Sequence, residues 1–261
     1  AGLRLLEIDW REAPPPGEWT TFGYDLANTR MNPDEAIVTP ENADTLEVVW
    51  EVAGLEGVAS TPAVVDGTVY VGDWTGAVQA IDAASGDVRW STSTGDMIMS
   101  SVTVDGDDLY AASRTSLWKL DRATGAEQWH VPTSDHPIAI TPSSPTVVDG
   151  HVLLGLASGE LMLSMTEYSF AGSVVSFDAE TGEEQWRLWT TPNDDTAGAG
   201  VGVWSTASYD ADLGVAFIGT GNTYEPPAAP LSDSLLAIDV DTGEVVWHHQ
   251  FTYPDVWSSG N

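Results

Sequence analysis

The stretch AIDVDTGEVVW, residues 237–247, decides the fold class, because it is the last of four copies of one pattern. Each copy has an apolar residue, an Asp, three spacers, a Gly, three spacers and a Trp. The other copies are AIDAASGDVRW (80–90), KLDRATGAEQW (119–129) and SFDAETGEEQW (176–186). A shorter echo, TLEVVW, ends at Trp50. The Asp can accept bonds from backbone N–H groups ahead of it and the Gly supplies a positive φ, so each copy predicts a tight turn between two strands.

A second hairpin precedes each turn. The stretches TPAVVDGTVYVG (61–72), SVTVDGDDLYAA (101–112) and SPTVVDGHVLLG (144–155) each place Asp-Gly between two strand-like runs, and SYDADLGVAFIG (208–219) has a longer turn. Each repeat therefore holds about four strands, which is the size of a β-propeller blade. The large ring that ends each last strand is expected to pack between neighbouring blades.

The predicted fold is an all-β propeller of about four blades over residues 19–261, preceded by an N-terminal arm over residues 1–18. An open array of blades leaves apolar faces and strand edges uncovered. We therefore expect the chain to be the first half of a larger ring, or to associate with another chain to complete the ring.

Composition excludes several classes of partner. Forty acidic residues against eight Lys and Arg give a net charge of −32, which repels nucleic acid and anionic lipid. The chain has no Cys, so disulfides, thiolate metal sites and Cys nucleophiles are excluded. No apolar run is long enough to span a membrane.

The repeat resembles the tryptophan-docking motif of eight-bladed quinoprotein dehydrogenases. The entry stretch WTTFGYDLANTRMNP (19–33) and the following ENADTLEVVW (41–50) look like the start of the same superfamily. The resemblance covers residues 19–257 and is closest to the polyvinyl-alcohol-dehydrogenase-like branch, whose members bind pyrroloquinoline quinone (PQQ). Outer-membrane assembly lipoproteins, which are non-enzymatic propellers, carry the docking motif too.

The resemblance implies a cofactor site in the fourth blade. Trp204 matches the position of a Trp that forms the floor under the quinone, and Asn222, in Gly-Thr-Gly-Asn, matches an amide ligand of Ca²⁺. An indole can stack on a flat cofactor, and Ca²⁺ prefers oxygen ligands. The competing interpretations are ordinary core packing for Trp204 and a turn position for Asn222.

The carboxylate ligand of Ca²⁺ has two candidates in the third blade. Reading forward from the hairpin places Glu160 at the family position, whereas reading backward from the docking motif places Glu167 there. Both remain open, and either could instead be a solvated loop carboxylate. Ser158 and Gly159 precede Glu160 and could approach the quinone.

The general base of the family reaction is an Asp that takes the alcohol proton. At the matching segment, PDVWS (254–258), the family acid is replaced by Ser258. Asp255 is one substitute, and a base beyond residue 261 is the other. Two family Arg positions also differ: Ala171 stands at one, and Arg114 lies near the other without matching its register.

Three functions compete. The first is PQQ- and Ca²⁺-dependent oxidation of a small or polymeric alcohol, with electrons passed to a carrier such as a cytochrome c, in the periplasm or outside the cell. The second is a non-catalytic scaffold or assembly propeller that binds other proteins. A carbohydrate-binding propeller is the third, suggested by the twelve Trp residues.

Overall fold

The computed structural model describes residues 3–7, 18–161, 163, 165, 167–192 and 198–257, and within these ranges the chain is all-β. Four antiparallel sheets correspond to the four sequence repeats, and a two-stranded sheet precedes them. The described part contains one short 3₁₀ turn, Ala43–Thr45, and no helix that is long and apolar enough to cross a membrane. The predicted fold class is confirmed.

In blades 1, 2 and 4 the strands pair in chain order. The preceding sheet pairs β1 (Leu3–Glu7) with β2 (Glu47–Val52). Blade 1 contains β3 (Ala63–Val65), β4 (Thr68–Gly72), β5 (Ala77–Asp82) and β6 (Val88–Ser93). Blade 2 contains β7 (Thr103–Asp105), β8 (Asp108–Ser113), β9 (Ser116–Asp121) and β10 (Glu127–Pro132). Blade 3 contains β11 (Ala139–Ile140), β12 (Thr146–Val148), β13 (His151–Ser158), β14 (Ser173–Asp178) and β15 (Glu184–Trp189). In this blade both β11 and β12 pair with β13. Blade 4 contains β16 (Ser208–Asp210), β17 (Val215–Gly219), β18 (Ser234–Asp239) and β19 (Val245–Gln250).

The repeated turn has the chemistry that its sequence predicts. In blade 4 the Asp239 carboxylate accepts bonds from the Thr242 N–H at 2.9 Å and from the Thr242 hydroxyl at 2.8 Å. Gly243 has a φ of +73°, which a residue with a side chain rarely adopts. The N–H bond to the Asp carboxylate recurs at Asp82, Asp121 and Asp178, and the hydroxyl bond recurs at Asp121 and Asp178.

The docking Trp residues that precede blades 1 to 4 each pack on the turn glycine of the following blade. Trp186 donates from Nε1 to the carbonyl of Val240 at 2.8 Å, and a Cβ built on Gly243 would lie 2.6 Å from its ring. The rings of Trp50, Trp90 and Trp129 approach the turn glycines of blades 1, 2 and 3 similarly closely, and Trp50 and Trp90 also donate from Nε1 to a carbonyl of the next turn. The prediction that these rings pack between neighbours is confirmed, and Trp247 of blade 4 is 45% exposed.

The apolar core lies between successive sheets rather than in one centre. Leu109 and Val78 belong to the cluster between blades 1 and 2, and Phe177 and Tyr110 to that between blades 2 and 3. A third cluster joins blades 3 and 4. Each blade is therefore stabilised mainly by its neighbours.

The entry segment crosses several blades. The Trp19 N–H donates to the carbonyl of Val64 in blade 1 at 2.9 Å, and the carbonyl of Leu26 accepts from Tyr209 in blade 4 at 2.7 Å. Within the predicted N-terminal arm, Leu3–Glu7 form β1. The rest of that arm up to residue 17, and Ser258, lie outside the described residues.

Candidate functional site

The polar candidates lie in the loops that follow β4, β8, β13 and β17. Because antiparallel strands alternate in direction, β4, β8, β13 and β17 all finish at the same end of their blades. Asp73, Arg114, Glu160 and Asn222 occupy these loops in blades 1 to 4, respectively. This end of the array is called the loop end below.

Trp204 presents an open indole face beside the blade 4 loop. Its side chain is 68% exposed, which is unusual for so large an apolar ring. The Gly221 N–H donates to the carbonyl of Gly202 at 2.8 Å, and a Cβ on Gly221 would lie 3.1 Å from the Trp204 Nε1. The glycine therefore lets the turn approach the indole closely. Trp204 is not the packed core residue of the competing interpretation.

Asn222 is held by main-chain carbonyls. Its Nδ2 donates to Trp257 at 2.6 Å and to Thr223 at 3.2 Å. The residue does not adopt a positive φ, so turn geometry alone does not require Asn here. With the amide nitrogen donating to the protein, Oδ1 is the atom that can accept from, or coordinate, another group.

Glu160 is completely buried, with 0% exposure. Its Oε1 accepts from the Ser169 N–H at 2.8 Å and lies 3.8 Å from the His136 Nε2. Its Oε2 has longer contacts, with the Ser158 hydroxyl and the Phe170 N–H each at 3.3 Å. Burial of a carboxylate is costly unless hydrogen bonds or cations compensate. Two backbone N–H groups, those of Ser169 and Phe170, therefore stabilise the buried carboxylate.

Tyr224 connects the surroundings of Glu160 and Asn222. Burial raises the pKa of Tyr224, while a hydrogen bond with Ser158 opposes the shift and the nearby Glu160 charge adds to it. The segment between the two loops is bonded to both sides: the Val203 N–H donates to Leu156 at 2.9 Å and the Val201 N–H to Asn222 at 2.7 Å. The blade 3 and blade 4 loops are thus neighbours; Ser158 is the last residue of β13 and Gly159 follows it.

The two remaining candidates differ in their surroundings. Glu167 is exposed, in contrast to Glu160. Asp255 is half-buried, and its carbonyl accepts from the Thr223 N–H at 3.2 Å, which places it next to Asn222. Burial, and then the charge of Asp233, raise the pKa of the Asp255 carboxyl above its ordinary value.

Arg114 does not match the family register, yet it lies in the blade 2 loop equivalent to those of Glu160 and Asn222. Its Nε donates to Asp96 at 2.8 Å and its Nη1 to the carbonyl of Pro137 at 3.1 Å. The sequence feature that identifies Arg114 as a candidate is its position directly after the end of β8. Ala171 lies beside blade 4, where it forms a bridge with Gly200.

No group of three or more His, Asp or Glu side chains able to hold a metal ion occurs in the described ranges. The candidate donors at the loop end are a carboxylate and an amide oxygen instead. Hard cations such as Ca²⁺ accept both kinds of oxygen.

Two family models match the chain. Residues 34–169 match the model described as outer membrane protein assembly factor BamB, and residues 128–259 match the β-propeller domain of glucose/ethanol/alcohol dehydrogenases. The chain belongs to the PQQ-dependent alcohol dehydrogenase-like β-propeller family. The resemblance inferred from the docking repeats is therefore confirmed.

Relatives within this family include alcohol dehydrogenases. The chain is 30% identical to the quinohemoprotein alcohol dehydrogenase of Comamonas testosteroni, over 92% of this chain and 40% of that protein. It is 26% identical to a polyvinylalcohol dehydrogenase of a Pseudomonas species, over 94% of this chain and 42% of that protein. The solved quinohemoprotein alcohol dehydrogenase ADHIIG of Pseudomonas putida superposes with a TM-score of 0.83 at 28% identity, over 93% of this chain and 41% of that one. The chain thus spans about two fifths of the length of the relatives it matches.

Proposed function

We propose that the loop end of this propeller forms part of a PQQ- and Ca²⁺-binding site for the oxidation of an alcohol. The observation that carries the proposal is the open face of Trp204 beside Asn222, at the end of the blades that also buries Glu160. The membership of the chain in a family of quinone-dependent alcohol dehydrogenases supports it.

Trp204 is the residue that would hold the flat cofactor. Its indole is 68% exposed and is fixed along one edge by the close approach of Gly221. Offset stacking on such a surface buries apolar area without rearranging the protein. Ser158 and Gly159 are the further candidates for contact with the quinone, and a Cβ built on Gly159 would have its nearest neighbour, the Ile138 carbonyl, 3.8 Å away. Arg114, in the blade 2 loop, is the cation that would pair with an acidic cofactor once its bond to Asp96 is exchanged.

The residues present also fit a hard cation. Glu160 offers Oε2, whose hydrogen bonds of 3.3 Å are longer than the 2.8 Å bond to Oε1. Asn222 offers Oδ1, because its Nδ2 is bonded to Trp257. The cation would offset the cost of the buried carboxylate. Glu167 is the alternative acidic ligand.

The bound cofactor would supply the oxidising equivalent for the alcohol, with Ca²⁺ acting on it as a Lewis acid. The protein has to exclude water, orient the alcohol and accept its proton. Asp255 is one proton acceptor that this chain offers, since it lies beside Asn222. Its raised pKa makes the ionised carboxylate a stronger base than an exposed Asp. A base beyond residue 261 is the other.

The remaining elements of the proposal concern the whole protein. Residues 19–261 would form half of an eight-bladed ring, and the other blades of the ring would complete the cofactor site. The substrate would be a small or polymeric alcohol. A cytochrome c would accept the electrons, and the protein would act in the periplasm or outside the cell. A relative named 1-butanol dehydrogenase (cytochrome c), 27% identical over 98% of this chain, supports the choice of acceptor.

Titration with PQQ, with and without Ca²⁺, tests the site. We expect saturable quenching of indole fluorescence that requires Ca²⁺. The quenching should be lost in Trp204→Ala and in Asn222→Ala. Trp247→Ala is the matched control, because Trp247 is also exposed but lies on the outer strand of blade 4. Quenching that persists in both site variants, or that never saturates in the folded chain, contradicts the site. The same titration on any longer natural chain shows whether further blades are needed.

A non-catalytic scaffold is the second candidate. It is favoured by the match of residues 34–169 to the assembly-factor model and by the exposed docking ring of Trp247. A scaffold needs neither the cofactor nor the cation. Failure to bind PQQ, together with a stable complex formed by another protein over blade 4 and lost in Trp247→Ala, would favour it.

A further inference from the structure

A cleft separate from Trp204 lies at the loop end between blades 2 and 3. It is enclosed by the connection after β10 (133–137), by Ser169–Ala171 and by the end of β15. Its volume is about 630 Å³, within the range of sites that hold small molecules. Both apolar and polar residues line the cleft, so a ligand that fits must have both kinds of surface.

Arg187 lines this cleft but is not available to an anion. Its guanidinium donates to both Glu184 oxygens, at 3.1 and 2.6 Å, to the Ser173 hydroxyl at 3.1 Å and to the Thr133 carbonyl at 3.1 Å. Four of its five N–H donors therefore have acceptors within the protein. The net charge of −32 further disfavours anionic ligands.

Trp189 supplies an apolar platform on one side of the cleft. The ring is 39% exposed although it ends a strand, and the Arg187 guanidinium lies 5.3 Å from its centroid. This cation–π contact fixes the indole in place. A rigid indole of this kind can take the C–H face of a saturated ring at little cost in side-chain entropy.

Hydroxyl partners surround the platform. The Ser134 hydroxyl accepts from the His136 N–H at 3.1 Å, so its own proton can be donated to a ligand. Asp135 is exposed, and each Glu184 oxygen that bonds to Arg187 retains a lone pair. The rim therefore offers acceptors and a donor at once, which is the combination that a neutral hydroxyl group uses.

We propose that this cleft binds a neutral saccharide, with one pyranose ring stacked on Trp189 and its hydroxyls bonded to Ser134, Asp135 and Glu184. The inference goes beyond the proposed alcohol oxidation and does not depend on it. A ring with an apolar face and hydroxyls along its edge satisfies both surfaces of the cleft.

Saturation-transfer NMR with maltotriose and cellotriose, as α- and β-linked probes, tests the proposal on the 261-residue chain. We expect saturable binding of at least one trisaccharide. Trp189→Ala should weaken it at least tenfold, and Trp189→Phe should retain part of the affinity. Trp204→Ala is the matched control and should bind like the unaltered chain.

Several results would overturn the proposal. One is that neither trisaccharide receives saturation from the folded chain. A second is that Trp189→Ala binds as tightly as the unaltered chain, and a third is that Trp204→Ala alone abolishes binding. Trigalacturonate provides a further check: because Arg187 is already bonded, this anionic sugar should bind no more tightly than the neutral probes. Circular dichroism confirms that each variant is folded, so a loss of binding can be assigned to the missing ring.

Discussion

The docking contact between blades predicts a large difference between two equivalent Trp residues. Trp186 and Trp247 occupy the same position in blades 3 and 4. Trp186 packs on Gly243 and donates to Val240 at 2.8 Å, whereas Trp247 is 45% exposed. Replacing each by Ala therefore removes an interblade contact in one case and a largely solvated ring in the other.

The magnitude follows from what each ring loses. Truncating a well-packed aromatic side chain costs about 3–5 kcal/mol, and the partial exposure of Trp186 lowers this to about 2–4 kcal/mol including its hydrogen bond. Trp247 keeps a ring contact with Phe217 in its own blade at 5.9 Å. Its removal should cost less than about 1 kcal/mol.

Thermal and urea unfolding followed by far-UV circular dichroism measures both variants without relying on Trp fluorescence. A loss of about 3 kcal/mol in Trp186→Ala should lower Tm by about 6–12 °C, while Trp247→Ala should stay within about 3 °C of the unaltered chain. Equal losses at the two positions would refute the role of the docking contact in holding blade 4.

Gly243 provides an independent check on the same contact. Gly243→Ala adds a methyl group 2.6 Å from the Trp186 ring at a φ of +73°, whereas Gly214→Ala has a similar φ of +66° and open space around it. Gly243→Ala should be the more damaging change. The excess should shrink when combined with Trp186→Ala, because the ring that it strikes is gone.

Three further predictions concern charge. The Arg89 guanidinium, with the Ser85 N–H, lowers the pKa of Asp82 from 3.8 to about 2. The stability that this carboxylate provides is complete above pH 4 and is lost as the pH falls toward 2, so Asp82→Asn should flatten the decline of Tm with acid. Lys119 is buried and lies 2.9 Å from Asp108. Asp108→Ala should therefore lower the free energy of unfolding by about 2–4 kcal/mol, because it leaves the buried Lys119 charge poorly paired. Lys119→Met removes the charge itself, so its urea midpoint should fall less. Glu160→Gln should weaken calcium-dependent PQQ binding at least tenfold while exposed Glu167→Gln leaves it unchanged; the reverse pattern would transfer the ligand role to Glu167.

The sequence by itself determined the local structure. Asp-x-x-Thr-Gly turns and Asp-Gly hairpins depend on bonds between residues only a few positions apart, so the four blades could be read directly from the repeat. The docking of each Trp on the next turn was also predictable, since the repeat places the same ring and the same glycine at fixed positions in every blade.

Only the tertiary structure decided which side chains meet and how deeply they are buried. Two alignments left Glu160 and Glu167 equivalent, and burial separates them: one is enclosed by the Ser169 and Phe170 backbone, and the other faces solvent. The cleft beside Trp189 joins a connection of blade 2 to a strand of blade 3, which no local pattern reveals. Such contacts join segments that are far apart in the chain, and their geometry depends on how whole sheets pack rather than on the preferences of any single turn.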